Sequence, residues 1–143
     1  MQPAIQINVP VLKSMDNFTE ERVISIGVFG VVKEIKDKRS GVHKSLKVIT
    51  KSSFEPGIIQ TKIDNLKILQ DSDCVHIVKP ELIFEDEKHY YIITKIIKGT
   101  DLQKYVIKSK RISEENALTI CRRILVVLRE YRDLGLLFRY ANQ

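Results

Sequence analysis

The chain has 143 residues, 43% hydrophobic and 29% charged, and its 24 Lys and Arg against 18 Asp and Glu give a formal charge of +6. That is enough for one ordinary domain with a real core and cramped for two. No stretch approaches the ~18 uninterrupted apolar residues of a membrane span, and the basic residues are scattered among acidic neighbours such as Glu34, Asp37, Glu85 and Asp101, which argues against a nucleic-acid face.

The opening Met1-Gln2-Pro3-Ala4-Ile5-Gln6-Ile7-Asn8 has neither a basic nor a long apolar region, so no secretory signal is expected and the cytosol, or the nucleus, is the expected compartment. Residues 1–20 carry Pro3 and Pro10 and no sustained periodicity, and are expected to be a flexible lead-in. Strand patterns then appear at Arg22–Ile26, Val31–Asp37 and His43–Thr50, with turn signals at Gly27, Gly30 and Asp37–Gly41. After Pro56-Gly57 the period changes: Ile59, Ile63, Leu66 and Leu69 share one face of a helix. Two more strands, Glu81–Phe84 and Tyr90–Ile97, flank a charged turn.

Cys74 and Cys121 have no metal-ligand spacing and read as reduced thiols. Gly99 and Thr100 punctuate the chain before a short helix over Asp101–Lys108. Ser113-Glu114-Glu115-Asn116 has the look of a capped start to a longer helix, whose stripe of Ile120, Ile124, Val127, Leu128 and Tyr131 runs to about Leu134, with Gly135 as its stop.

Four stretches carry a resemblance. Ile24-Ser25-Ile26-Gly27-Val28-Phe29-Gly30-Val31-Val32 is similar to the glycine-rich loop G-x-G-x-x-G-x-V, with Ser25 at the first glycine position. Ser45-Leu46-Lys47-Val48-Ile49 resembles the strand motif V-A-I-K, with its lysine at Lys47. Cys74–Lys79 resembles the connection H-P-N-I-V-K, the segment through Thr94 resembles the strand hairpin beyond that connection, and Gly99-Thr100-Asp101-Leu102 resembles G-G-E-L. Leu128–Tyr140 is similar to the stretch ending in H-R-D.

Together these resemble the eukaryotic serine/threonine protein kinase family, in its calcium-dependent or calmodulin-dependent form, over residues 22–140. The resemblance implies an α+β fold: a kinase-like small lobe (21–98) of a five-stranded antiparallel sheet with one helix, then two helices of a truncated large lobe (99–143). It also implies nucleotide contacts at Ile24–Val32, Lys47, Thr94 as gatekeeper, Ile96 on the hinge and Asp101 at the ribose. On the residues alone, the glycines also suit a plain hairpin turn, Lys47 an exposed strand position, and Asp101 a helix cap.

The chain departs from the family at two catalytic positions. Where the small-lobe helix carries E-I-x-x-L, this chain reads Lys62-Ile63-Asp64-Asn65-Leu66, and Asp64 stands about 200° round the helix from Lys62. H-R-D reads Phe138-Arg139-Tyr140, so a phenol of ordinary pKa ~10 replaces the catalytic aspartate. The chain also ends before any D-F-G or A-P-E.

The expectation is therefore a truncated, catalytically inactive kinase-domain protein with weak ATP binding through Lys47 and feeble magnesium dependence. The alternatives are an interaction module that docks a protein partner on the exposed C-terminal helix, and an active kinase whose C-terminal sequence is incomplete here. No nucleic acid and no membrane are expected as partners.

Overall fold

Short turns between β-branched segments make the front of the chain an antiparallel meander of β1 (Phe18–Gly27), β2 (Gly30–Asp37) and β3 (His43–Thr50). The computed structural model describes residues 15–28 and 30–136, so Phe29, Tyr140 and residues 1–14 of the expected lead-in lie outside the described residues. The β2–β3 turn is held by Asp37, whose Oδ1 accepts from the backbone N–H groups of Arg39 (2.8 Å) and Ser40 (3.0 Å). Those bonds hold the carboxyl below its ordinary range.

A 3-10 turn at Lys51–Ser53 leads into α1 (Pro56–Asp71), after which β4 (Pro80–Glu85) and β5 (His89–Lys95) form a hairpin. The strand order is β1-β2-β3-β5-β4, with every neighbouring pair antiparallel. This is the expected five-stranded sheet with one helix.

The sheet buries both faces around its centre. On one, Ile49, Tyr90 and Ile92 pack with Ile59 and Ile63 of α1, flanked by Phe54, Leu66 and Ile83. On the other, Ile35, Leu46, Phe84 and Ile93 form a second cluster with Met15, Phe18, Val48, Leu82 and Tyr91. The change of face between Val48 and Ile49 is the period of two that a strand imposes.

Two strand boundaries differ from expectation by more than one residue. β1 begins at Phe18 rather than Arg22, because it is an edge strand with nearly every side chain exposed and so carries no apolar alternation to read. β5 ends at Lys95 rather than Ile97, because its last ladder partner on β3 is Lys44; Ile97, 71% exposed, lies beyond the ladder.

By its internal contacts the chain divides into two units, one of residues up to Gln70 with Lys79–Ile96, the other of Asp71–Val78 with residues from Ile97 on. The second unit holds α2 (Leu102–Ser109) and α3 (Glu114–Asp133). Ser113 Oγ accepts from Asn116 N at 3.3 Å, as its capping position requires. At the far end Gly135 takes a left-handed φ of +71°, donates to Arg132 O and lets Leu136 donate to Tyr131 O, a Schellman stop. His76 Nδ1 and Glu130 Oε1, 2.9 Å apart, tie the 71–78 loop to α3.

No residue of α3 is fully buried: Ile120 and Val127 are half-buried, and Leu118, Ile124, Leu125 and Leu128 are exposed. Among the described residues no helix is long and apolar enough to cross a membrane.

Candidate nucleotide site

Strand register brings the predicted residues together. Ser25 pairs with Val32, Val32 with Lys47, and Lys47 with Ile92, so four strands contribute to a single row. Directly opposed residues project to the same side of a sheet, and Ile92 lies in the cluster under α1. Lys47 therefore stands on the α1 side, with Val32 and Ser25 beside it. Gly27 and Gly30 pair with each other one step further towards the turn, on that same side. Thr94, opposite Ser45 and two residues beyond Ile92, shares it as well.

The remaining predicted contacts fall elsewhere. Ile26 and Val31 oppose each other on the other side of the sheet, and Ile26 is 78% exposed. Ile24 sits at a register shift between Val23 and Ser25, and Val28 caps the turn, 84% exposed. Ile96 closes the first unit, half-buried. Phe29 lies outside the described residues.

Asp101 belongs to the second unit, where it caps α2: Oδ1 accepts from Lys104 N at 2.8 Å, and Oδ2 lies 3.0 Å from Lys104 Nζ. The backbone N–H of Lys104 is the foremost reason its carboxyl is held below the usual range. The capping role weighed from sequence is thus present.

The two glycines are demanded for different reasons. Gly30 has φ +120°, and a Cβ there would meet Val48 O at 2.0 Å, so the contact between β2 and β3 excludes any side chain. At Gly27 an added Cβ would meet nothing within 4 Å. Its bareness answers no packing need of the first unit.

Lys47 is half-buried, and desolvation lowers its pKa from the ordinary lysine value. Lys62, next to the Ile59, Ile63, Leu66 stripe on α1, is also half-buried, with Nζ 5.9 Å from the centroid of the Phe54 ring. Its pKa is lowered by burial and then by the positive charge of Lys47. The α1 carboxylate Asp64 is engaged along its own helix, accepting from Gln60 Nε2 at 2.9 Å and lying 4.0 Å from Lys67 Nζ. Lys47 on β3 and Lys62 on α1 thus both lie half-buried on the helix-covered side of the sheet.

Sequence reasoning missed Glu34. It lies two residues from Val32, on the Lys47 side, and accepts from Arg22 Nε at 2.7 Å, with His43 Nδ1 at 2.8 Å. The Arg22 hydrogen bond leads the causes that lower its pKa. Only the cross-strand pairings Arg22 with Glu34 and Lys36 with His43 could have revealed the cluster, and those require the register. Among the described residues no group of three or more His, Cys, Asp or Glu side chains is placed to hold a metal ion.

A five-stranded antiparallel sheet with one covering helix, a glycine turn between its first two strands and a lysine on the third defines the small lobe of a protein kinase. The protein kinase domain family matches residues 18–139, and the chain belongs to that family. Calcium-dependent protein kinase 4 of Plasmodium berghei is 30% identical over 105 residues, covering 73% of this chain and 20% of its own length. The serine/threonine-protein kinase RAD53 of Saccharomyces cerevisiae is 25% identical over 119 residues, covering 83% of this chain and 14% of that protein. The crystal structure of Rad53 1–466 in complex with AMP-PNP superposes with a TM-score of 0.73 at 24% identity, over 85% of this chain and 32% of that one. The chain thus spans no more than about a fifth of the length of these two relatives.

Proposed function

We propose that this kinase-domain chain binds a nucleotide weakly on the Lys47 side of its sheet and does not transfer the phosphoryl group. The observation that carries this is that α1 presents Lys62, half-buried next to Ile63, on the side of the sheet where Lys47 stands. Phosphoryl transfer in this family depends on a lysine held by a glutamate of the small-lobe helix. Here, by the resemblance, the helix carries Lys62, a cation, at the position where the family has that glutamate. Tyr140 in place of the catalytic aspartate supports the same conclusion, since a neutral phenol is a poor acceptor of a substrate hydroxyl proton.

The row of Ser25, Val32 and Lys47 with the open backbone at Gly27 supports nucleotide binding. The test is a phosphotransfer assay with ATP and magnesium on a generic protein substrate, paired with calorimetry of ATP on wild type and Lys47→Ala. Turnover at ordinary kinase rates, about 1–100 per second, overturns the inactive assignment. Unchanged affinity in Lys47→Ala overturns the site.

A second reading, a protein-interaction module, draws on the exposed apolar residues Leu118, Ile124, Leu125 and Leu128 of α3. A chain that elutes as a monomer and captures no partner counts against it.

A further inference from the structure

We propose that the exposed side of α3 is a self-complementary surface, on which a second copy of this chain packs its own α3 antiparallel. The proposal rests on the interaction-module reading, which it deepens by naming the partner, and it is independent of the nucleotide reading.

α3 carries two stripes. Ala117, Ile120, Val127 and Tyr131 are half-buried and mark the side turned to its own unit. At ~100° per residue, Leu118, Cys121, Leu125 and Leu128 gather on a second line, roughly 100° round the helix from the first. All four are exposed. Their spacing of three, four and three is the one with which two helices interlock side chains. Glu114, four residues before Leu118, and Arg132, four after Leu128, extend that line into the first and last turns.

The line is symmetric about residue 123. When two such helices run antiparallel across a two-fold axis at that point, Leu118 meets Leu128 of the second copy, Cys121 meets Leu125, and Glu114 meets Arg132. The apolar middle is then closed at each end by opposite charges, and the helix dipoles oppose each other favourably. A parallel pair sets Glu114 against Glu114 and Arg132 against Arg132. Self-complementarity of this kind is what an isologous two-fold interface requires, and it points to a copy of this chain as the occupant. Arg132 already bonds to Asp133 Oδ1 at 2.8 Å, but that contact is exposed and leaves guanidinium donors over for a glutamate. The ~27 Å of helix from Glu114 to Arg132 buries less than a standard interface, so the dimer dissociates on dilution.

The experiment is sedimentation equilibrium on the full chain in reductant, across a concentration series. Expected is a species of twice 16.5 kDa that dissociates on dilution. Leu125, 63% exposed, can change without a cost to the fold; Leu125→Glu weakens the dimer at least about tenfold, with an unchanged circular dichroism spectrum. Glu114→Lys and Arg132→Glu each weaken it alone, because each sets like charges at both ends. An equimolar mixture of those two variants regains the wild-type dimer, since every end of the mixed pair is again of opposite charge. A monomer at every concentration, growth beyond a dimer, or a dimer indifferent to Leu125→Glu overturns the proposal. A mixture no tighter than either variant alone overturns the antiparallel pairing. A monomer that captures a different protein through Leu125 overturns the self-pair and leaves the interaction reading standing, whereas a monomer that captures none sinks both.

Discussion

Gly30 lies so close to Val48 that a Cβ on the glycine would stand 2.0 Å from the valine carbonyl oxygen. β2 and β3 could admit that atom only by parting, which would break the row that aligns Val32 with Lys47. Gly30→Ala is therefore expected to lower stability by about 3 kcal/mol or more. Gly27→Ala meets no atom and should stay within about 1 kcal/mol of wild type. Urea denaturation of both variants checks the contrast; equal losses would show that the turn, and not the approach to Val48, sets the cost.

Tyr91 donates its phenolic hydrogen to Asp86 Oδ2 at 2.7 Å, while Asp86 Oδ1 accepts from the backbone N–H groups of Lys88 (2.7 Å) and His89 (2.6 Å). The Tyr91 bond is the foremost cause holding Asp86 down at about 2. Burial, then Asp86, pushes Tyr91 up to about 12. A lowered carboxyl stabilises the fold above its unfolded value near 3.8, and that contribution is lost as pH falls towards 2. A raised phenol stabilises below pH 10, and that contribution is lost as pH rises towards 12. Tyr91→Phe should cost about 1 kcal/mol at neutral pH and flatten the alkaline limb. Denaturation midpoints across the pH range measure both.

Lys62→Glu replaces the repulsion at Lys47 with an attraction and should raise stability by about 1 kcal/mol at neutral pH and low salt. The sign with pH is distinctive. Both lysines are lowered in the folded state, so the unfolded chain binds more protons as pH approaches 10.5, and this pair's destabilising contribution fades as pH rises. Lys62→Met should remove its part of that slope. Phosphotransfer is not expected to appear in Lys62→Glu, because the proposed reading sets Tyr140 at the position of the catalytic aspartate. A gain of turnover in that variant would refute the role given to Tyr140.

Ile63 is 1% exposed and joins α1 to Ile49 and Ile92. Ile63→Ala should cost about 2–5 kcal/mol. Ile68→Ala on the same helix, at a residue 43% exposed, should cost under about 1 kcal/mol. Thermal melts monitored by circular dichroism would separate them.

How much was legible in the sequence depends on whether the signal is local. The β3 limits, the α1 stripe, the Ser113 cap and the Gly135 stop were readable because strand period, helix period and cap chemistry act over a few residues. β1 was read short because an exposed edge strand has no buried side to alternate with. Glu34 was overlooked because its partners, Arg22 and His43, come from neighbouring strands.

Residue identity by itself carried the resemblance to kinase motifs around Gly27, Gly30 and Lys47, and the expectation that Lys62 and Tyr140 stand where the family has acids. Only the tertiary structure decided that Ser25, Val32 and Lys47 form one row while Ile26 and Val31 turn away, and that Gly30 is forced by Val48 while Gly27 is not. The physical reason is that register and helix placement set which side chains share a face. Both arise from burying Ile49, Ile59, Ile63 and Ile92 together, across a separation of more than forty residues that no local pattern spans.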